Sequence, residues 1–90
     1  MPTVQFPRHL IHQLDVPASC HASGATIAEV VADLQRQFPG VEDYLIGPQG
    51  GLRDHVNLFI GEQWLKDRRG LSDHVAESDE ITVMHALAGG

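Results

Sequence analysis

Six histidines, one cysteine and a Gly-Gly pair at residues 89 and 90 are the groups through which this chain could do chemistry. Imidazole is a metal ligand, a general base and the side chain whose charge changes near neutral pH. His9 and His12 lie close in sequence, while His21, His55, His74 and His85 are scattered over different segments. Zinc needs about four converging ligands, and sequence spacing supplies no such set, so no metal site is expected and the imidazoles read as surface or partly buried groups. Cys20 would be a nucleophile only beside a base. Its neighbour His21 points to the opposite face of an extended strand, and alternation puts Cys20 on the apolar side, as a buried structural thiol. Asp54-His55 and Asp73-His74 lack a nucleophile, and no Lys-Ser or Lys-Thr follows Gly47–Gly51 to make a phosphate loop. No catalytic residue is expected, and the chain does not read as an enzyme.

The glycine pair differs. Two glycines after a strand contribute nothing to a core and cost backbone entropy if held still. Without β-carbons they can lie extended in a channel too narrow for other residues. The expectation is that the chain ends at Gly90, that its carboxylate is the reacting group, and that Ala88 and Gly89 form the slim passage behind it.

A terminus that reacts elsewhere must be carried by a domain. Ninety residues allow one small domain, with room for one sheet and one or two helices. Hydrophobic residues make up 42% and charged residues 20%, an ordinary globular balance. A formal charge of −6 disfavours binding to nucleic acid and suits docking onto a basic partner. Acidic residues at 62, 67 and 77–80 are candidates for steering that association. With one cysteine there is no internal disulfide, and neither a membrane segment nor a secretory leader is visible, so the expected location is the cytoplasm.

The clearest element starts at Thr26. Thr26-Ile27-Ala28-Glu29 has the form of a capping box, and Ile27, Val30, Val31, Leu34 and Phe38 recur at helical spacing until Pro39-Gly40 stops the run. Asp33, Gln35, Arg36 and Gln37 read as its polar face. Alternation predicts strands at 55–60, with Val56, Leu58 and Ile60 inward and Phe59 outward, and at 81–85, with Ile81, Val83 and His85 on one side. Weaker strands are expected from Thr3 and over 16–22, the latter with Val16, Ala18, Cys20 and Ala22 on one face, and 63–65 reads as a short return strand. Residues 11–15 read as a turn, and Val41, Tyr44, Leu45 and Ile46 as a short helical turn. Pro7 and Pro17 argue for edges or strand ends. Leu71 and Val75 plug the end of the core. The economical packing is α+β: a first hairpin, a helix crossing the sheet, and a last strand returning to the middle.

With Val56-Asn57-Leu58-Phe59-Ile60-Gly61-Glu62, Gly70-Leu71, the Glu77–Val83 approach to the last strand, Thr26-Ile27-Ala28-Glu29-Val30 and the closing Ala86-Leu87-Ala88-Gly89-Gly90, the sequence resembles the ubiquitin-like sulfur carrier family. The likeness covers nearly the whole chain. That family includes the small subunit of molybdopterin synthase, the thiamine-pathway carrier and the carrier for cysteine synthesis in actinobacteria. The length matches the longer molybdopterin and cysteine types, and the Pro7 segment and the 47–54 loop look closer to the cysteine type. One departure is His85-Ala86, where longer carriers usually have a proline.

The resemblance implies a β-grasp domain over 1–86 and a flexible tail over 87–90. It implies adenylation of Gly90 by an E1-like enzyme that itself uses ATP and magnesium, then conversion to a thiocarboxylate that feeds a downstream sulfur-accepting synthase. A metalloprotease that trims or releases the tail is a further implied partner. No cofactor is expected to stay bound. Phe59, Glu62 and Leu87 are the partner-docking candidates. The alternative is a ubiquitin-like interaction domain that binds non-covalently and would tolerate residues beyond Gly90; a metal-binding regulator ranks last.

Overall fold

Thr26 begins the helix that organises the domain. Its hydroxyl accepts from the Glu29 amide at 3.3 Å, and the Glu29 carboxylate accepts from the Ala25 amide at 2.9 Å, one residue further back than in the simplest reciprocal box. The structure, a computed structural model, describes residues 1–85. In chain order its elements are β1 (Thr3–Gln5), α1 (Arg8–Leu14), β2 (Ser19–His21), α2 (Ile27–Gln37), α3 (Val41–Leu45), β3 (Val56–Ile60), β4 (Gln63–Trp64) and β5 (Glu80–His85).

The strands form one sheet in the order β2-β1-β5-β3-β4. β1 and β5 run parallel at its centre and every other pair is antiparallel, so β5 returns to the middle as the pattern predicts. This is the ubiquitin-like β-grasp, a mixed sheet gripping α2. Ile27, Val30, Val31 and Leu34 of α2 share one buried cluster with Val4, Val56, Leu58, Ile81 and Val83 of the sheet, so alternation at period two meets periodicity at 3.6 on one apolar face. Ile60 is only partly buried against that cluster.

The segment 8–14, read as strand end and turn, is instead α1. Pro7 supplies the extended N-cap (φ −75°, ψ 155°), and Asp15 ends the helix in the left-handed region at φ 55° with its amide bonded to the Ile11 carbonyl. Leu10 is fully buried, while Ile11 and Leu14 pack on the core. Two short turns give too little periodicity to stand out in sequence, and the tertiary contact of one leucine decides the matter. Pro7 therefore marks a strand end rather than an edge, because β1 lies inside the sheet. Pro17 precedes the true edge strand β2, which is shorter than the expected 16–22. Val16 and Ala22 are buried, but Ala18 faces solvent.

Asp33 also departs from expectation. It is buried rather than part of the polar face. Its carboxylate accepts from the Ser23 amide at 3.0 Å and from the Gln37 side chain at 2.9 Å, and it pairs with Arg36, which ties α2 to the chain leaving β2. Ser23 can approach because Gly24 stands at φ +153°, where a β-carbon would lie 2.7 Å from the Val30 nitrogen.

Candidate functional site

Gly61 and Glu62 make a two-residue connection, with Gly61 at φ 63°, a backbone suited to glycine in a tight hairpin. That turn sets Phe59 opposite Trp64 and Ile60 opposite Gln63. Phe59 lies on the sheet face away from α2, and its ring centroid is 4.0 Å from that of Trp64 at an interplanar angle of 48°. Trp64 is 57% exposed and Met84, on the same outward alternation of β5, is 45% exposed. Asn57, between Phe59 and the preceding segment, pairs with Met84 across the ladder. Glu62 sits exposed at the tip of the hairpin.

Two of the expected docking residues are thus brought onto one hairpin, and Trp64 and Met84 join them. The signal for both was present. A two-residue turn after Ile60 makes Trp64 the partner of Phe59, and Met84 alternates with Ile81 and Val83. Phe59 is partly buried and its ring packs against Trp64. Together they make a partly exposed aromatic surface beside an acidic tip. Leu87, Ala88, Gly89 and Gly90 lie outside the described residues.

The other notable cluster is at the end of β5. His85 falls on the inner face by alternation, but at the open end of the sheet, where α1 and α3 meet it. The Tyr44 hydroxyl lies 2.9 Å from His85 Nδ1 and 3.1 Å from His9 Nδ1. The His9 and His85 rings stack with centroids 4.4 Å apart, and His55 meets His85 edge-on at 5.0 Å. Histidines scattered in sequence are therefore three-fold gathered in space, a correction to the scattered reading. Their elements are far apart in the chain, so no local spacing could show it. Burial first, then the neighbouring His9 and His55, pushes the His85 pKa below its ordinary value. Burial pushes the Tyr44 phenol up. Among the described residues, no group of three or more His, Cys, Asp or Glu side chains has the arrangement of a metal site.

Beside this cluster, the charged turn at 67–70 proves partly structural. Arg68 donates to Asn57 Oδ1 at 2.6 Å and to the carbonyls of Arg53 at 2.8 Å and Val56 at 2.9 Å, holding the start of β3. Asp67 accepts from the Ser72 hydroxyl and then the Gly70 amide, bonds that hold its carboxyl below the usual range and tie a proposed steering charge to the turn. Cys20 is partly buried, and burial together with the Asp33 charge pushes its thiol up, a direction that disfavours the thiolate.

The architecture defines a class first: a small ubiquitin-like β-grasp protein with an aromatic outer face and a chain end continuing from its central strand. Within that class the chain belongs to the ThiS family, whose model matches residues 6–90. It is 31% identical over 90 residues to the sulfur carrier protein CysO of Mycobacterium tuberculosis, covering 98% of this chain and 97% of that protein. The crystal structure of M. tuberculosis CysO superposes with a TM-score of 0.86 at 28% identity, covering 97% of this chain and all of that one. The Amycolatopsis orientalis BexX/CysO complex contains a chain that matches with a TM-score of 0.87 at 27% identity, covering 100% of each. SAMP1 from Haloferax volcanii, at 20% identity and a TM-score of 0.80, shares the fold. ThiS- and CysO-type proteins are small carriers rather than catalysts, and these likenesses support a sulfur-carrier role with a partner enzyme. No helix of the described residues is long and apolar enough to cross a membrane.

Proposed function

We propose that this chain is a sulfur carrier of the cysteine-pathway type, working in the cytoplasm, whose Gly90 carboxylate is adenylated by an E1-like partner and converted to a thiocarboxylate. A carboxylate is a poor electrophile because oxide would have to leave. Attack of a Gly90 oxygen on the α-phosphorus of ATP forms an acyl-adenylate and releases pyrophosphate. Hydrosulfide then attacks the carbonyl carbon, the bond to AMP breaks, and the products are the thiocarboxylate, AMP and a proton. ATP and magnesium belong to the partner's site, where positioning supplies the catalysis. This chain contributes a recognised face around Phe59, Glu62 and Trp64, and a slender end through Ala88 and Gly89, with Leu87 at its base. A downstream synthase takes the sulfur, and a metalloprotease releases or trims the tail.

The observation that carries the reading is the match to the sulfur carrier CysO along almost the full length of both chains, together with a family match that runs through Gly90. The test is intact-mass measurement after incubation with the adenylating partner, ATP and sulfide. Exchange of one oxygen for sulfur adds about 16 Da, a gain that oxidation of Met or Cys also produces, so it must map to the C-terminal peptide. It must also disappear when Gly90 is deleted. A folded protein that forms neither adenylate nor thiocarboxylate with any adenylating enzyme of its host overturns the proposal.

A further inference from the structure

We propose that Tyr44, His9, His85 and His55 form a proton-sensitive clasp at the end of β5, closed when the imidazoles are neutral and opened by their protonation, which sets how the C-terminal tail is presented. The inference rests on the carrier reading for its consequence, not for its geometry.

One phenol bridges two imidazoles through the same type of atom, Nδ1 of His9 and Nδ1 of His85. The phenol has a single proton, and burial keeps it there. The bridge is therefore complete only when one imidazole carries its hydrogen on Nδ1 and donates to Oη while the other has a bare Nδ1 that accepts from the hydroxyl. A proton taken from solvent by the bare nitrogen removes that acceptor. The hydroxyl hydrogen then loses its partner, and the new charge lies against a stacked ring whose centroid is 4.4 Å distant. His55 adds a third imidazole at 5.0 Å from His85.

The groups facing His85 are His9 from α1, Tyr44 from α3 and His55 from the segment before β3. Among the described residues the ion pairs are Met1 with Glu77 and Arg36 with Asp33, so no described carboxylate lies within 4 Å of these three imidazoles. Successive protonation thus accumulates like charge without an ion-paired carboxylate among the described residues, at partly buried His85, whose pKa is already pushed down. His85 stands opposite Val56 at the end of the β3–β5 ladder, one residue beyond the hydrogen-bonded rung of Asn57 and Met84, and the chain continues from it into the C-terminal residues. Tyr44 is on this argument a positioning residue, anchored by a ring that is itself buried in the core.

The experiment is amide hydrogen exchange at Met84 and Asn57, the last hydrogen-bonded rung before His85, with the imidazole titrations followed by NMR. In the wild-type protein, exchange at that rung, corrected for its intrinsic pH dependence, is expected to be about tenfold faster near pH 5.5 than near pH 8. Tyr44→Phe keeps the ring and removes the bridge, so it should exchange at the fast rate at both values. Should that variant fail to fold, His9→Gln carries the same test, with the added expectation that His85 titrates at a higher pH than in the wild type. Equal wild-type protection at both pH values, a Tyr44→Phe protein with wild-type pH dependence, or an unchanged His85 titration in His9→Gln overturns the clasp. In the thiocarboxylate assay, the ratio of wild-type to Tyr44→Phe rates should exceed one near pH 8 and fall to about one near pH 5.5. A constant ratio refutes the link to the tail. Absence of thiocarboxylate at both values refutes the carrier reading and leaves the exchange result standing.

Discussion

Replacing Trp64 with Ala removes the largest exposed apolar surface of the outer sheet face. A tryptophan side chain offers up to about 250 Å². With 57% of Trp64 exposed, roughly 140 Å² is free to be covered by a partner. At about 25 cal/mol per Å² its full burial corresponds to ~3.5 kcal/mol, an upper bound because association also costs ordering and imperfect desolvation. A loss of about 2 kcal/mol in binding, roughly thirtyfold in Kd, is the expected result. The buried remainder, about 110 Å², sets the cost to folding at about 1–2 kcal/mol after allowing for a compact unfolded chain. A domain of ordinary stability survives that loss. Calorimetric titration with the adenylating partner, run well below the melting temperature, separates the two effects. Phe59→Ala should follow in the same direction, since its ring is the surface on which Trp64 rests. A folded Trp64→Ala protein that binds its partner within about twofold of wild type would show that docking uses another face.

Leu34→Ala should cost roughly 2–5 kcal/mol by opening a cavity between α2 and the sheet, read as a lower melting temperature. Arg68→Met removes the donor to Asn57 Oδ1 and the Val56 carbonyl, while the Arg53 carbonyl keeps the Val56 amide, and about 2–3 kcal/mol should be lost in urea unfolding. Asp33 has its carboxyl lowered first by the Ser23 amide and then by Gln37, with Arg36 adding to it. The folded state therefore releases its proton more readily than the unfolded chain, so this stabilisation is present above the ordinary carboxyl range and is lost as pH falls through the lowered value. Urea midpoints measured against pH should show that acid limb in the wild type and a diminished one in Asp33→Asn.

Helix α2, the inward set Val56, Leu58, Ile81 and Val83, and the central return of β5 were legible because each depends on a local period strong enough to dictate which face is buried. Capping at Thr26 was legible for the same reason: donor and acceptor lie within one turn. Segment 8–14 was not. Its helix is too short for propensity to select, and it forms because Leu10 finds the core while Asp15 accepts a left-handed backbone. Asp33 looked like a surface residue because its helical position is polar, and only the approach of Ser23 past Gly24 makes burying that carboxylate tolerable.

The outer aromatic face was half legible. Alternation placed Phe59 outward, and the hairpin register that pairs it with Trp64 follows from a two-residue turn. By itself, then, the amino-acid sequence determined the class of fold, the apolar faces and the family, since periodicity, caps and motif order are written along the chain. The tertiary structure alone decided the meeting of His9, Tyr44, His55 and His85. Those residues come from α1, α3, a loop and β5, and their contact arises because β5 inserts between β1 and β3 and carries His85 to the end of the sheet where both short helices pack. Chain order encodes local geometry, whereas proximity between distant segments is set by how the sheet closes over its helix.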